Sequence, residues 1–158
     1  MRKRITHEDS QTSRATDNQD WIDLEHLVRV ELTSEDSEHP IESALIMNTG
    51  SGWRAQHPGK QKIRLVFDEP RRINRIQLMF HEDERERTQE FVLRWTPGGG
   101  ASYREIVRQQ YNFSPPDSSK EFEDYAVNLD GLAILELDIT PDVSGSDCRA
   151  SLAQLRMA

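Results

Sequence analysis

The side chains that could do chemistry in this sequence are concentrated in two polar segments, residues 48–59 and 81–88. Guanidinium and imidazole groups donate hydrogen bonds to hydroxyls, carboxylates and phosphates, and an aromatic ring can stack on the apolar face of a sugar. Six side chains of these segments offer such groups and are the candidate ligand-binding residues. They are Trp53, Arg54, His57, His81, Arg85 and Arg87.

Two interpretations are open for each segment. Trp53 follows the glycine-rich turn NTGSG and precedes Arg54, so its ring could form an aromatic platform beside a hydrogen-bonding guanidinium. The same ring could instead be buried and support the segment from below. The charge run HEDERERT could be a solvated hairpin loop or a recognition loop, because loops on a rigid scaffold often carry binding residues.

A third group of polar residues lies further along the chain. Arg104, Arg108 and Gln110 share one strand face, provided that a bulge expected at Ile106 does not flip them. Such a stripe could be a solvated outer face, or a shallow ligand groove that ends at Tyr111.

The sequence lacks the residue sets that catalysis needs. It contains no G-x-S-x-G, no H-E-x-x-H and no pair of histidines at metal-ligand spacing. Cys148 lies in a polar turn with no histidine base adjacent to it. The acidic pairs lie in charge runs. They therefore lack the apolar neighbours that would raise the pKa of a carboxyl group and suit it to acid–base catalysis. We therefore expect a protein that is not an enzyme.

Composition limits the partners. The chain has 158 residues, with 20 Lys+Arg against 28 Asp+Glu and a formal net charge of −8. We do not expect nucleic acid as a partner for so acidic a chain, since domains that bind it are usually basic, and we expect no membrane partner. The single cysteine cannot form an internal disulfide. We expect a cytoplasmic protein.

The elements that must position the candidate residues show a period of two. In KQKIRLVF, the apolar residues Ile63, Leu65 and Phe67 share one face and the charged residues share the other. This alternation is typical of antiparallel strands with one buried face. It recurs in the runs 75–80, 90–96 and 132–140, and further strand candidates are 27–33, 103–111, 125–129 and 150–157.

About eight strands separated by turn clusters, among them 68–72 and 128–131, predict an all-β sandwich or barrel. Only residues 39–47 could hold a helix, and a short one. Residues 1–20 are polar and without periodicity, so we expect a disordered leader followed by one domain over 21–158.

The order of these segments resembles a known family. The chain runs through VRVELTSEDS, the short helical IESAL, the turn NTGSGW, the strand and acidic turn IRLVFDEP, then FVLRWTPGGG and finally ASLAQLRM. In this order, residues 28–158 resemble the discoidin domain, or coagulation-factor type C domain, of the galactose-binding-like jelly-roll class. The resemblance implies an eight-stranded antiparallel jelly-roll β-sandwich and a non-enzymatic binding role toward sugars, lipids or proteins.

Two departures from the family bear on cofactors and location. Many members hold a calcium ion between an Asp after the short helix and a Glu in the last strand. Asn48 and Gln154 stand there instead, and neutral amides suit a hard cation less well than carboxylates. We expect no cofactor, with Asn48 as the candidate ligand if a structural calcium binds. Extracellular members also have a terminal disulfide, which the lone Cys148 excludes, so an intracellular or bacterial relative is expected.

Two functional hypotheses follow. The first is a non-catalytic module that binds a carbohydrate or other polar small ligand through loops at one end of the sandwich. In it, Trp53 supports the loop while Arg54, His57, His81 and Arg85 make polar contacts. The second is an intracellular protein-interaction module, a scaffold within a larger complex. The identity of the ligand and the oligomeric state are open at this level.

Overall fold

Two short helices and eight strands make up the part of the chain that this computed structural model describes, residues 21–47 and 50–158. The helices are α1 (Leu24–Leu27) and α2 (Glu42–Leu45). The strands are β1 (Val28–Leu32), β2 (Trp53–Pro58), β3 (Gln61–His81), β4 (Arg87–Thr96), β5 (Arg104–Phe113), β6 (Lys120–Thr140), β7 (Arg149–Leu152) and β8 (Gln154–Met157). The leader expected over residues 1–20 lies outside the described residues. Within them, no helix has the length and apolar character to cross a membrane.

Two long strands, β3 and β6, connect the layers of the fold. Each has 21 residues, and they pair antiparallel from Gln61 opposite Ile139 to His81 opposite Lys120. Their register shifts midway. On one side of the shifts β3 pairs with β1 and β6 pairs with β4, whereas on the other side β3 pairs with β8. The sheet therefore bends over at the shifts, and strands β2 and β7 form a separate ribbon.

The layers pack together through apolar side chains. The rings of Phe80 in the second half of β3 and Phe91 in β4 have centroids 5.1 Å apart. The alternation predicted the buried faces correctly, since Ile63, Leu65 and Phe67 are each at most 5% exposed. The result is the antiparallel all-β sandwich that the sequence predicts.

Strand boundaries differ from the prediction in three places. The turn clusters 68–72 and 128–131 lie inside β3 and β6, because both strands bend there rather than reverse. The last predicted strand, 150–157, is two strands that break at Ala153. Residues 53–58, predicted as part of a loop, form β2. Turn-rich composition marks a bend as readily as a reversal, and the neighbouring strands decide between them.

The bulge expected at Ile106 is present, because the register of β5 against β4 shifts by one residue there. The shift places Arg104 opposite Trp95, with its guanidinium 5.3 Å from the indole centroid. Arg108 and Gln110 stay on the other face and contact acidic side chains. The polar stripe considered above is therefore divided between two faces.

Glu136 of β6 lies at the centre of an ion-pair network on the outer face of the main sheet. It is only 3% exposed. Its carboxylate accepts hydrogen bonds from Arg64 Nε at 2.9 Å and Arg94 Nη1 at 3.3 Å. Lys62 Nζ lies 3.7 Å away. A carboxylate that the alternation places on the outside is thus covered by three cations.

Neutralising Glu136 should destabilise the fold. In Glu136→Gln, Arg64, Arg94 and Lys62 lose the buried carboxylate that they share, while Asp138 still pairs with Arg94 and Lys62. We expect a loss of about 1–3 kcal/mol in the free energy of unfolding. Urea denaturation measures it. Asp147→Asn is the control, because it removes an exposed ion pair with Arg85 and should change stability little. Equal losses in the two variants would contradict a central role for Glu136.

Candidate ligand-binding pocket

The ribbon formed by β2 and β7 is the floor of a polar pocket. Trp53 pairs with Leu152, and both side chains are buried in the core at no more than 1% exposure. The neighbouring pair, Arg54 and Ser151, faces the other way because successive side chains of a strand alternate. Arg149 lies two residues before Ser151 and shares that outward face. One face of the ribbon thus closes the core while the other presents polar groups.

Trp53 supports the pocket from below. Its indole Nε1 donates a hydrogen bond to the backbone carbonyl of Ser34 at 3.1 Å. Gly52, just before it, has a φ of +99°, and a Cβ there would come within 2.5 Å of the carbonyl oxygen of Leu152. Glycine is therefore needed for β2 to begin this close to β7. The structure therefore agrees with the second interpretation of Trp53, a buried ring that supports the segment from below, and not with an exposed aromatic platform.

The pocket is small and mostly polar, with a volume of about 150 Å³. This is below the roughly 300–1,000 Å³ of sites for drug-sized ligands, so it suits one small polar unit. Its lining includes His39, Ser51, Arg54, His81, Asp83 and Arg149.

The segment between β1 and α2 forms one wall. The backbone N–H of Arg54 donates to the carbonyl of His39 at 3.1 Å, and that of Asp36 donates to the carbonyl of Arg54 at 2.8 Å. The Asp36 carboxylate accepts from the Glu38 N–H and lies 3.3 Å from His39 Nδ1. These contacts, the Glu38 N–H foremost, lower the pKa of Asp36. Arg149 Nη1 is 3.9 Å from Asp36, too far for a hydrogen bond.

The residues after β3 form a second wall. Glu82 accepts hydrogen bonds from Arg87 Nε at 2.6 Å and from the backbone N–H groups of Glu84 and Arg85 at 2.9 and 3.0 Å. Burial opposes ionisation of Glu82, but these hydrogen bonds outweigh it and lower its pKa. Asp83 also lines the pocket, and its carboxylate has no partner among the described residues.

Arg87 anchors this wall from inside the protein. Its side chain is fully buried, and Nη1 donates to the carbonyl of Pro141 at 2.8 Å and to Gln89 Oε1 at 3.3 Å. Its guanidinium lies 4.7 Å from the Phe113 ring centroid. The prediction that Arg87 belongs to the ligand-binding rim is therefore wrong, because strand alternation in β4 turns the side chain inward. It acts on the pocket only by holding Glu82.

A chain of buried hydrogen bonds leads from Arg87 through Gln89 to Glu121. The Gln89 amide donates to Glu121 Oε1 at 3.1 Å, and Glu121 is only 1% exposed. Burial, helped by the neighbouring carboxyl of Glu123, raises the pKa of Glu121 to about 9. Glu121 is therefore protonated at neutral pH, which avoids an unpaired buried charge.

The structure brings half of the predicted site residues together. Those that line the pocket are Trp53, Arg54 and His81. His57 is exposed on β2 outside the pocket lining, and Arg85 is paired with Asp147 at 2.9 Å. Asn48, the candidate metal ligand, lies outside the described residues.

Sequence reasoning missed two residues of the pocket lining, His39 and Arg149. The alternation in RASL, residues 149–152, does indicate which side chains face outward. Nothing in the sequence indicates that this strand pairs with the one that begins at Trp53, almost a hundred residues earlier. His39 comes from a loop segment, and only the backbone pairing with Arg54 reveals its place.

The pocket can recognise hydroxyl and anionic groups. Arg54 and Arg149 are donors only, whereas the Asp83 carboxylate is an acceptor. Among the described residues of the lining, Trp53 is the one aromatic residue, and its ring is buried. Recognition therefore rests on hydrogen bonds and charge rather than on ring stacking.

Possible metal ligands lie elsewhere in the described chain. Asp23, Glu25 and His26 offer ligand atoms within 4.8 Å of one another, but all three are exposed and Asp23 contacts His26 at 2.6 Å. The Gln154 side-chain oxygen accepts a hydrogen bond from Arg156 at 2.8 Å.

Comparison with known proteins finds structural rather than sequence similarity. No family model and no curated protein matches the sequence. A pectin-binding carbohydrate-binding module matches with a TM-score of 0.60 at 17% identity, covering 84% of this chain and 90% of that one. The family 32 module of NanJ from C. perfringens, solved with galactose, matches with a TM-score of 0.59 at 13% identity, covering 87% and 96%. The CBM32 of AlyQ, solved with 4,5-unsaturated mannuronic acid, gives 0.55 at 16%, covering 84% and 95%.

At these identities the likeness shows the fold. The chain has the galactose-binding-like jelly-roll β-sandwich found in carbohydrate-binding modules, which confirms the fold class predicted from the sequence.

The buried Glu121 should make stability depend on pH. Its pKa rises from 4.5 in the unfolded chain to about 9 in the folded protein, so the folded state binds more protons between these values. Its contribution to stability therefore falls as pH rises through this window. Glu121→Gln should be more stable than the wild type at pH 8 and differ less at pH 5. Urea denaturation at both pH values tests this, and a stability difference that does not change with pH would contradict it.

Proposed function

We propose that this protein is a non-catalytic carbohydrate-binding module whose site is the pocket on the β2–β7 ribbon. The observation that carries the proposal is the convergence of Arg54, Arg149, His81 and Asp83 on one small pocket. Sugar hydroxyls donate and accept hydrogen bonds, and this set supplies both donors and acceptors. A hydrolytic role has no support among the described pocket residues, because the Ser151 hydroxyl contacts the backbone oxygen of His81 at 3.5 Å rather than an imidazole.

The structural comparisons support the ligand class by analogy. Proteins of the same fold include a pectin-binding module and one solved with galactose. A shared fold does not fix a ligand, so the analogy supports carbohydrate as the class while the pocket residues support the position of the site.

We also propose kinship with the discoidin family within the jelly-roll class, a bacterial origin and a cytoplasmic location. The order of segments supports the first. The single, buried Cys148 supports the others, because it cannot form the terminal disulfide of extracellular relatives. Binding without a cofactor is likewise proposed, since the Gln154 oxygen is already used by Arg156.

Removing the Arg54 guanidinium should weaken sugar binding. In a panel of monosaccharides titrated by NMR, the wild type should bind at least one at millimolar concentration, with shifts at pocket residues. Arg54→Ala should lose about tenfold in affinity, because a charge-assisted hydrogen bond disappears. The matched control is His57→Ala, on the same strand but outside the pocket, which should bind like the wild type. No binding of any sugar by the wild type would overturn the proposal.

A second candidate function is protein interaction, and one feature favours it. A groove of about 450 Å³ lies between α1, β1 and α2. It is lined by apolar residues that include Leu24, Val30, Leu32 and Leu45, and also by Glu25, Glu35 and Glu42. Among the described strands, β1 is the last on its side of the main sheet. An edge strand beside such a groove can add an extended peptide as a further strand. The proposed occupant is an extended peptide segment of a partner protein with apolar and basic side chains.

Val30→Lys separates the two candidates. It places a charge in the groove and should abolish capture of a peptide-type partner in pull-downs from the native host. Arg54→Ala should leave that capture unchanged. A partner retained by Val30→Lys, or no reproducible partner at all, would contradict the interaction role.

A further inference from the structure

The pocket contains a guanidinium without an acidic partner. Among the described residues, four arginines have no carboxylate within 4.0 Å, namely Arg54, Arg71, Arg104 and Arg156. Arg104 stacks on Trp95, Arg156 donates to Gln154 Oε1 and lies over the Trp21 ring, and Arg71 is exposed in the bend of β3. Of these four, Arg54 is the one that lines the pocket on the β2–β7 ribbon. In an acidic chain with 28 Asp+Glu, a half-buried guanidinium that pairs with none of them is available to an external anion.

A second guanidinium lies beside it with donors to spare. Arg149 shares the outward face of the ribbon with Arg54. Its nearest carboxylate, Asp36, is 3.9 Å away and already accepts a hydrogen bond from Glu38. Arg149 therefore keeps hydrogen-bonding capacity that Asp36 does not use.

The acidic residues of the pocket do not cancel these cations. The Glu82 carboxylate is paired with the Arg87 guanidinium and also accepts hydrogen bonds from two backbone N–H groups. Asp83 is the remaining acid, and it can accept sugar hydroxyls. Because the Trp53 ring is buried, stacking contributes nothing, and charge-assisted hydrogen bonds must supply most of the affinity.

We propose that the ligand is an acidic sugar, a hexuronate whose carboxylate is bound by Arg54 and Arg149. This inference rests on the carbohydrate-binding function proposed above. The planar fork of an arginine matches a carboxylate in geometry as well as in charge. The volume of about 150 Å³ favours a single sugar unit, with its ring hydroxyls directed to Asp83.

The test compares sugars that differ only in the carboxylate. Galacturonic acid against galactose, and glucuronic acid against glucose, are titrated by NMR into wild type, Arg54→Gln, Arg149→Gln and Arg71→Gln at low salt. The wild type should bind at least one uronate about tenfold more tightly than its neutral parent. Arg54→Gln and Arg149→Gln should reduce that preference, while Arg71→Gln, a guanidinium outside the pocket, should keep it.

Asp83→Asn provides an independent arm, because it removes both a negative charge and the carboxylate acceptor of the ring hydroxyls. The neutral sugar should therefore bind more weakly, while the ratio of uronate affinity to neutral-sugar affinity should rise. Added salt should weaken uronate binding more than neutral binding.

The outcomes separate the two proposals. If galactose or glucose binds as tightly as its uronate, and Arg54→Gln weakens both equally, the acidic-sugar inference fails while the carbohydrate function stands. If no sugar binds at all, both fail. A uronate preference that persists in both pocket arginine variants would also overturn the inference.

Discussion

The pairing of β3 with β6 across a shared bend is the constraint on which the rest of the structure depends. Both strands have 21 residues, and their register shifts divide each into a half that lies with β1, β4 and β5 and a half that lies with β8. Apolar residues of the two halves meet in one core, as Phe80 and Phe91 do. The β2–β7 ribbon closes that core with Trp53 and Leu152, which pair with each other and are both buried.

Charge satisfaction is the second organising force. Strand arginines that alternation places on the outside do not simply face water, since Arg64 and Arg94 cover the buried Glu136. Arg87 is fully buried and holds Glu82. Where no counter-charge is available, the protein uses a neutral acid instead, as at Glu121. Against this background of paired charges, Arg54 is the arginine of the pocket that has no carboxylate partner among the described residues.

The site follows from the same physics. A strand ribbon has two faces, and the face that does not seal the core is free to carry polar groups. Trp53 packs into the core on one face, while Arg54, its neighbour, lies in the pocket on the other face. Because Glu82 is fixed from the core through Arg87, the second wall of the pocket is preorganised, which limits the entropic cost of binding.

The sequence by itself determined the all-β class, the buried alternation of residues such as Ile63 and Leu65, the bulge at Ile106 and the segments that hold Arg54 and His81. These features are local, because the period of a strand and the conformation of a turn depend on residues that are close together in the sequence. Only the tertiary structure decided that the expected turns at 68–72 and 128–131 are bends, that Arg87 is buried, and that Arg149 and His39 join Arg54. The physical reason is that strand pairing connects residues far apart in the chain, and a single sequence shows the period of a strand but not its partner.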